Sequence, residues 1–361
     1  MIDDRNRRFE ERINNYGLIG EISSGHSSLI CSLVTSPNGE YVVSGSSDKM
    51  IKIWKNVNYR RDNNEEKKER ERRLNDNNNI VPSFICDKIL SGHTDSVWSV
   101  KCAYLDNRDK RYLVVVSGSN DCTVKMWNVE NAECRLTRSH SNIVYAVSIS
   151  SECCDDERVL IASASYDKSI KIFNAHDTRS NIDAINTINN AYDYYVYDVT
   201  FHNNNMNRIT TIGCDEIIYT RYAVVKVFDI ESRQFISAMN TRHPNSFSHV
   251  IMSPCNNYII SSSSSDSNII IHDVRTKDEK RRINNNSNVQ DIKLINNDYI
   301  VAVSQNNNKV NIFNYTNSQL LKTLNTSSNN SAVTIDPLNN NYIICAEYSS
   351  KNLKLTILSD L

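Results

Sequence analysis

The sequence predicts an all-β protein of seven repeated four-stranded sheets arranged in a closed ring. The first observation is a recurring segment, found at 44–54 (SGSSDKMIKIW), 117–127 (SGSNDCTVKMW) and 163–173 (SASYDKSIKIF). The second is its spacing, because the closing residues of later copies follow one another after 41 to 46 residues, with one interval of 55. The third is the alternation of apolar and polar residues before each closing residue, which is typical of strands. A fixed period of this length indicates a repeat architecture.

Fainter copies of the segment complete the count of seven. A fourth clear copy occupies 263–273, and weaker copies end at 224–229, 309–314 and 353–358. Each unit is a small sheet whose two faces both need covering, so each must pack between two neighbours.

An insertion lengthens the first interval. Residues 55–83 contain twelve charges of both signs between 60 and 73 and no apolar stripe, so we predict a disordered segment or a transient helix. Without the insertion, the spacing returns to the mid-forties. The whole chain, 1–361, is then predicted to be a single domain.

The ends of the chain are predicted to meet in the last sheet. Three strands of the seventh repeat precede residue 361, and its outermost strand is missing. Residues 17–23 lie where the outer strand of a repeat falls, so we expect them to complete the seventh sheet. Closure of the ring would leave no unpaired strand edges between the first and last repeats.

A set of polar residues accompanies the clear copies. A His in the loop before a repeat can bond the Asp of a tight turn and a strand Ser, which would tie three backbone segments together. We therefore predict a structural role for these residues, whereas repeats 4, 6 and 7 lack the set and are expected to rely on apolar packing. The predicted sets are His26, Ser44, Asp48 and Trp54; His93, Ser117, Asp121 and Trp127; His140, Ser163, Asp167 and Phe173; and His243, Asp266 and His272.

These segments resemble the WD-repeat family, whose members form β-propellers with four strands in each blade. The resemblance covers nearly the whole chain and implies a seven-bladed β-propeller. It also implies a scaffold that binds protein or peptide partners in a larger complex, without enzymatic activity.

The resemblance also implies a partner-binding site on the top rim. In relatives, the residue five places after each His points toward the top of the channel, and the residue before each structural Asp faces the same rim. In the repeats that cannot be aligned on a His in this way, the apolar alternation of the inner strand gives the matching position. Rigid Trp and Tyr side chains are favoured in interfaces, although packing between blades could also explain them. The predicted partner-binding residues are Trp98, Asn120, Tyr145, Tyr166 and Tyr197, whereas the opposite arc is small and polar, with Cys31, Ser248, Gln290 and Ser331.

Composition and motifs exclude several function classes. The net charge of −1 and the pI near 6.7 argue against a basic nucleic-acid binder, and no apolar run approaches the roughly 20 residues of a membrane helix. The chain has no phosphate-binding loop and no signature of a metalloprotease or serine hydrolase. We expect no catalytic residues, cofactor or metal site, and a monomer in the cytoplasm or the nucleus. About 50 asparagines, many in runs between strands, suit turns and suggest a unicellular eukaryote.

Two alternatives stay open at this point. Residues 269–275 (IIIHDVR) resemble the WDxR signature of substrate receptors for cullin-type ubiquitin ligases. That resemblance implies an adaptor contact at Asp273 and Arg275, in which Asp273 could hold the Arg275 guanidinium outward. A hydrolase or phosphate-ligand site in the central channel is the alternative of a different class.

Overall fold

A computed structural model describes most of the chain, and the described residues form an all-β architecture. They are residue 10 and residues 16–59, 82–107, 110–150, 159–177, 179, 184–203, 205–217, 220–244, 248–295, 297–304, 307–336, 342–348 and 353–360. Within these residues, 28 strands form seven antiparallel sheets of four strands. No helix among them has the length and the apolar content that crossing a bilayer requires.

Each sheet is one blade, and blades are numbered from 1 to 7 along the chain. Blades 1 to 4 contain β2 (Ile30–Thr35), β3 (Tyr41–Ser46), β4 (Ile51–Asn56) and β5 (Phe84–Leu90); β6 (Val97–Asn107), β7 (Lys110–Ser119), β8 (Thr123–Asn128) and β9 (Glu133–Ser139); β10 (Val144–Ile149), β11 (Leu160–Ser165), β12 (Ile170–Asn174) and β13 (Asn186–Ile188); and β14 (Val196–His202), β15 (Asn205–Ile217), β16 (Thr220–Asp229) and β17 (Gln234–Pro244). Blades 5 to 7 contain β18 (Ser248–Met252), β19 (Tyr258–Ser263), β20 (Asn268–Asp273) and β21 (Glu279–Asn284); β22 (Val289–Ile295), β23 (Tyr299–Ser304), β24 (Lys309–Asn314) and β25 (Gln319–Asn325); and β26 (Asn329–Ile335), β27 (Tyr342–Tyr348), β28 (Leu353–Asp360) and β1 (Tyr16–Ser23).

Burial follows the position of a strand within its blade. The second strands β11 and β23 are buried along their whole length, because neighbouring blades cover both of their faces. The outer strand β9 has alternating exposed and buried residues toward its end. This gradient explains why the repeat signature is strongest in the inner strands, where nearly every position is under packing constraint.

The hydrophobic core is divided among the interfaces between blades. The described residues form seven apolar clusters, and each cluster joins one pair of adjacent blades. Close approach explains two glycines of the repeat segment: a Cβ on Gly45 would lie 2.8 Å from Val100 of blade 2, and one on Gly118 would lie 2.8 Å from Val144 of blade 3. The second strand of each of these two blades therefore packs directly on the next blade.

The ring is closed, as the sequence predicts. The first strands of consecutive blades contact one another all the way round, including β26 with β2. β1 pairs antiparallel with β28 and so supplies the fourth strand of blade 7; the predicted segment, 17–23, is one residue shorter than the strand. Side chains also cross the seam, since Thr35 Oγ1 lies 2.9 Å from Thr334 Oγ1 and the Tyr342 hydroxyl donates to the Gly39 carbonyl at 3.3 Å.

Two departures from the regular repeat have different outcomes. The predicted insertion begins later than expected, because Lys55 and Asn56 still belong to β4, and residues 60–81 lie outside the described residues. The 55-residue interval contains a raised hairpin in blade 4, in which β15 and β16 continue to pair through Ile217 and Thr220. This hairpin extends above the top rim, which is the end of the ring that carries the turns between second and third strands.

Deletion of residues 1–24 is expected to lower the melting temperature of the whole domain. The deletion removes β1, exposes the edge of β28 and uncovers the apolar cluster between blades 7 and 1. Thermal unfolding followed by circular dichroism measures the effect. Deletion of residues 1–9 is the control, since it leaves β1 in place. Equal melting temperatures for full-length protein and the 1–24 deletion would contradict the role of β1 in closure.

Candidate functional site at the mouth of the channel

Four blades contain the predicted His–Asp–Ser network. In blade 1, His26 Nδ1 lies 2.7 Å from Asp48 Oδ2 and His26 Nε2 lies 2.8 Å from Ser44 Oγ. The Trp54 indole N–H donates to the same Ser44 oxygen at 3.0 Å. The network therefore joins the loop before the blade, the turn and two strands. The other three networks have His–Asp and His–Ser distances of 2.7 and 2.7 Å for His93, Asp121 and Ser117; 2.8 and 2.7 Å for His140, Asp167 and Ser163; and 2.9 and 3.3 Å for His243, Asp266 and Ser261.

Hydrogen bonds determine the charge state of the turn carboxylates. Burial by itself would raise the pKa of Asp48, but the hydrogen bond and charge of His26 and two backbone N–H groups outweigh burial and lower the pKa to about 2. Asp121 follows the same pattern, with a pKa of about 2. Both ring nitrogens of His26 and His93 have partners within their own blades, so each buried imidazole cross-links a turn to a strand.

Blade 4 has a polar network of its own, so the expectation that it relies on apolar packing is wrong. Tyr192 occupies the place of the His, with its hydroxyl 2.9 Å from Thr211 Oγ1. Asp215 accepts the backbone N–H of Asp193 at 2.9 Å and pairs with Lys226 at 2.6 Å. The ammonium of Lys226 also lies 4.2 Å from the centre of the Tyr192 ring. A phenol thus provides the bond to the strand hydroxyl that the imidazole provides elsewhere.

Blades 6 and 7 also have substitutes, which corrects the same expectation. In blade 6, the Asn285 amide donates to Ser304 Oγ at 2.7 Å and accepts from the Asn311 amide at 2.8 Å. In blade 7, the fully buried Glu347 carboxylate accepts from Ser328 N at 2.8 Å and from the Thr356 hydroxyl. Polar side chains of different types therefore form a hydrogen-bonded network at this level of every blade.

His272 is the exception in blade 5. It stands where Trp54 stands in blade 1 and is 1 % exposed. Neither of its ring nitrogens has a hydrogen-bond partner among the described residues, because the imidazole is shorter than an indole. Burial lowers the pKa of His272 to about 4; the charge of Glu279 opposes this shift, and the charges of His243 and Arg282 add to it. The side chain therefore stays neutral in the folded protein at ordinary pH.

The predicted rim residues lie at β-bulges. In six blades the pairing of the first two strands skips one residue. The skipped residue is the one that the spacing after the His predicts in blades 1 to 3 and that the apolar alternation predicts in blades 4, 6 and 7. A bulge re-aims a side chain out of the ladder. Blade 5 differs, since Ser248 is paired without an irregularity and His249 lines the channel instead. The bulge residues are Cys31, Trp98, Tyr145, Tyr197, Gln290 and Ser331.

The bulges of blades 2 to 4 bring the predicted aromatic residues together in one continuous group. Trp98 lies 6.4 Å from Tyr145, which lies 5.8 Å from Tyr197, measured between ring centroids. Tyr166 stacks on Tyr195 at 4.6 Å and lies 6.1 Å from Tyr145. We call this group the aromatic sector. Its members are Trp98, Tyr145, Tyr166, Tyr194, Tyr195 and Tyr197.

Exposure differs across the aromatic sector. Tyr166 is 40 % exposed, Trp98 and Tyr145 are half-buried, and Tyr197 is only 6 % exposed. Tyr197 was predicted as a contact residue, but the rings of Tyr145 and Tyr195 cover it, so it forms the floor of the sector. Tyr194 and Tyr195 are half-buried members of the sector.

Asn120 holds the Trp98 end of the aromatic sector in place and is itself half-buried. The Trp98 indole N–H donates to Asn120 Oδ1 at 3.4 Å, while the Asn120 amide donates to Asp95 Oδ2 at 2.8 Å. These bonds hold the indole against the turn of blade 2. The docking role predicted for Asn120 and the aromatic residues stays a prediction, and the geometry gives them a common surface.

Beneath the aromatic sector lies a cavity of about 80 Å³ in the central channel. In four blades, the side chain of the residue that follows the bulge accepts a backbone N–H of another blade. These hydrogen bonds tie the first strands together around the channel. The four bonds are Val100 N to Ser32 Oγ at 3.2 Å, Val147 N to Ser99 Oγ at 3.2 Å, Val250 N to Asp198 Oδ2 at 3.0 Å, and Val333 N to Asp291 Oδ2 at 3.1 Å.

The proposed adaptor contact has a different geometry from the predicted one. Asp273 Oδ1 accepts the backbone N–H groups of Arg275 at 2.9 Å and Thr276 at 3.1 Å, and Oδ2 faces Lys280 at 3.5 Å. Asp273 therefore contacts the backbone of Arg275, and no described contact joins it to the guanidinium. The carboxylate caps its own turn, and Arg275 is exposed beside it. The adaptor role stays a prediction.

Metal-ligand geometry is absent from the described part of the chain, in which no three His, Cys, Asp or Glu side chains converge as a cation would require. The channel carboxylates Asp198 and Asp291 each accept two backbone N–H groups.

Comparison with known proteins supports the repeat assignment. The sequence profile described as "WD domain, G-beta repeat" matches residues 18–55, 84–128 and 132–174. The chain is 31% identical over 121 residues to WD repeat-containing protein pop2 of Schizosaccharomyces pombe and 26% identical over 126 residues to the general transcriptional corepressor TUP1 of Saccharomyces cerevisiae. These matches cover 32% and 35% of this chain and 14% of each relative. The similarity thus concerns a small part of those longer proteins.

Tyr192→Phe is expected to destabilise the fold by about 1 kcal/mol, the usual net contribution of a buried hydrogen bond. The change removes the hydroxyl that contacts Thr211 and keeps the ring under Lys226. Urea unfolding measures the free energy. Tyr166→Phe is the matched control, because the Tyr166 hydroxyl has no hydrogen-bond partner in the described part of the chain and the ring is exposed. The same loss in both variants would contradict a specific role for the blade 4 network.

His272→Phe is expected to stabilise the protein, because it removes two unpartnered polar atoms from the interior. The change also gives blade 5 a Phe at the position where blades 3 and 4 have Phe173 and Phe228. The gain should grow in acid. The unfolded chain binds a proton at His272 below pH 6.5, and the folded chain does so only near pH 4. Stability is therefore lost as pH falls through this window.

Urea unfolding of wild type and His272→Phe between pH 7.5 and pH 4.5 tests this expectation. His202, whose pKa burial also lowers to about 4, keeps part of the acid dependence in both proteins. A pH profile that is unchanged by the substitution would show that His272 does not contribute to it.

Proposed function

We propose that this chain, which belongs to the WD-repeat family, docks a protein or peptide partner through the aromatic sector at the mouth of its channel. The chain is a protein-interaction scaffold of the propeller type. We further propose that the partner binds at the aromatic sector through its side chains and that the chain has no catalytic activity.

A single observation carries the proposal, namely that aromatic rings from three blades form one continuous surface. Six rings follow one another with centroid separations between 4.6 and 6.4 Å. Trp and Tyr lose little conformational entropy on binding and are enriched among interface residues that dominate affinity. A structural role between blades needs buried rings, and Tyr166 is 40 % exposed. The surface therefore exceeds what packing requires.

Rigid support is the second argument. Trp98 and Tyr145 are held at bulges in first strands that pair with the second strands β7 and β11, and Asn120 fixes the indole edge. Burial raises the pKa of Tyr145, with smaller contributions from the neighbouring phenols, so its hydroxyl remains a neutral hydrogen-bond donor at ordinary pH. A surface of this kind needs little rearrangement before it binds, which favours affinity.

The raised hairpin of blade 4 limits the surface on one side. The Cys214 backbone pairs with Tyr194 and Tyr195 at 3.1 and 2.9 Å, so the base of the hairpin adjoins the aromatic sector. The opposite arc has small bulge residues, Cys31, Gln290 and Ser331. We therefore expect a partner to lie across blades 2 to 4 and not over the centre of the ring.

The setting of this function is also a proposal. A scaffold with a sequence pI near 6.7 is suited to protein partners and not to direct nucleic-acid binding. We place it in the cytoplasm or the nucleus, as a monomer that joins a larger complex. TUP1 is described as a transcriptional corepressor, which is compatible with the nuclear choice.

Replacement of Trp98 and Tyr145 together by Ala is expected to remove most of the partner recovered with the protein. Two such residues at an interface each contribute on the order of 2 kcal/mol, or roughly 30-fold in affinity. Affinity purification from the native organism with mass spectrometry identifies the partner, and calorimetry then measures its affinity. Circular dichroism verifies that the variant is folded.

Two further variants sharpen the test. Phe235→Ala removes an aromatic side chain that is 55 % exposed on the outer strand β17, far from the channel, and should leave binding intact. Tyr166→Ser alters an exposed member of the sector with little consequence for folding and should weaken binding. Full partner recovery by the double variant, with the fold intact, would refute the proposed site.

A further inference from the structure

The cavity beneath the aromatic sector contains charged side chains, and most of them are neutralised within it. Asp198 accepts the backbone N–H groups of Val199 at 2.8 Å and Val250 at 3.0 Å, and faces His249 Nδ1 at 3.5 Å. These contacts occupy the carboxylate from three directions. Asp198 is therefore part of the bonding between blades.

Asp291 has an equivalent set of partners on the other side of the channel. It accepts from Ile292 N at 2.8 Å and Val333 N at 3.1 Å, and it pairs with Lys293 Nζ at 2.7 Å. Lys293 also donates to the Ile292 carbonyl at 3.3 Å. The charges of Asp291 and Lys293 thus compensate each other.

Lys101 is the remaining charged side chain of the cavity, and it differs from the others. It lies on β6 and lines the same space. No hydrogen bond or ion pair joins it to any residue in the described part of the chain, although it is partly buried. Burial lowers the pKa of Lys101, and the nearby charge of Lys293 lowers it further, against smaller opposing contributions from Asp198 and Asp291. An ammonium group without a partner is costly in such a place.

We propose that Lys101 Nζ is an anion-binding position in the channel and that it takes a single carboxylate. Occupation by a carboxylate would give Lys101 the ion-pair partner that it lacks among the described residues. The two resident aspartates select against a phosphate group, because Asp198 and Asp291 would repel a second negative charge on the ligand. Among the described residues that line the cavity, no further Lys or Arg without an ion pair would offset that repulsion.

The carboxylate belongs to a Glu side chain of the partner that docks on the aromatic sector, and this source rests on the proposed function. Lys101 follows Trp98 by three residues on β6, so the two backbone positions are roughly 10 Å apart along the strand. A peptide lying on Trp98 and Tyr145 has the cavity directly beneath it, since both rings line its entrance. A long acidic side chain that points into the channel suits this depth better than a short one.

Acetate is the probe for the anion site, and inorganic phosphate is its comparison. In protein labelled with ¹³Cε-lysine, the NMR signal that disappears in Lys101→Met identifies Lys101. We expect acetate to shift this signal saturably and to raise the pKa of Lys101, whereas phosphate should bind about tenfold more weakly or not at all. Lys309, exposed at the start of β24, is the matched control and should show no saturable shift.

Variants keep the test decisive. Lys101→Arg retains the charge and should retain acetate binding, followed by calorimetry, while Lys101→Met should lose it. An absence of saturable acetate binding, or acetate binding that survives in Lys101→Met, would overturn the site. Phosphate binding as tight as acetate binding would overturn the assignment to a single carboxylate.

The acetate experiment is independent of the docking site. The Trp98 and Tyr145 double variant should still bind acetate, so failure of the proposed function leaves this result unaffected. Once a partner peptide is known, replacement of its Glu residues by Gln should weaken binding to wild type and have no effect on binding to Lys101→Met. An equal loss in both proteins would show that the partner's carboxylate does not reach Lys101.

Discussion

The need of every blade to be covered on both faces governs this structure. A four-stranded antiparallel sheet of this size cannot bury two apolar faces alone, so each blade depends on the blade before it and the blade after it. The seven apolar clusters at the seven interfaces are the result. Closure then follows, because any first and last blade that failed to meet would expose two apolar faces. The pairing of β1 with β28 adds a backbone ladder to this seam.

The polar networks solve a second problem, which is local to each blade. The crowded level at which a loop, a turn and two strands meet contains backbone and side-chain groups that water cannot reach. His with Asp and Ser satisfies them in four blades, and a Tyr, an Asn and a Glu anchor the networks of the others. What is constant is the hydrogen-bonding requirement, and the residue type that meets it varies. His272 shows the effect of a residue that fills the space without meeting the requirement.

At the channel mouth, the bulged first strands both bond the blades to one another and carry the aromatic residues of the rim. A bulge in the first strand releases one side chain from the sheet, and the residue after it ties the strand to another blade. Residues proposed for recognition and residues that bond one blade to another therefore lie side by side along one strand. Trp98 faces the rim, Ser99 accepts a hydrogen bond from Val147 and Lys101 lies in the cavity, all within four consecutive positions of β6. Rigidity of the aromatic sector is thus a consequence of the bonds that hold the ring together.

The sequence by itself determined the repeat, the number of blades, the closing strand and the four His–Asp pairs. These features depend on short spacings within one repeat, such as the 22 residues between His26 and Asp48, which a periodic pattern preserves. It also located the bulge residues of six blades, from the fixed distance after the His loop in blades 1 to 3 and from the alternation of apolar residues in blades 4, 6 and 7. The insertion and the irregular interval of blade 4 could be recognised in the sequence as departures from the repeat. The structure that each of them adopts could not.

Tertiary structure alone decided the rest, because the deciding contacts join residues from different repeats or of unexpected type. Asp291 meets Val333 of the next blade, and Asp198 and Lys101 share a cavity although 97 positions separate them in the sequence. Tyr197 is covered by rings from its neighbours, which no spacing reveals. The networks of blades 4, 6 and 7 escaped the pattern because Tyr192, Asn285 and Glu347 resemble no member of the recurring set. Local periodicity determines which sheets form, and the packing of one sheet on another determines which charges are left without a partner.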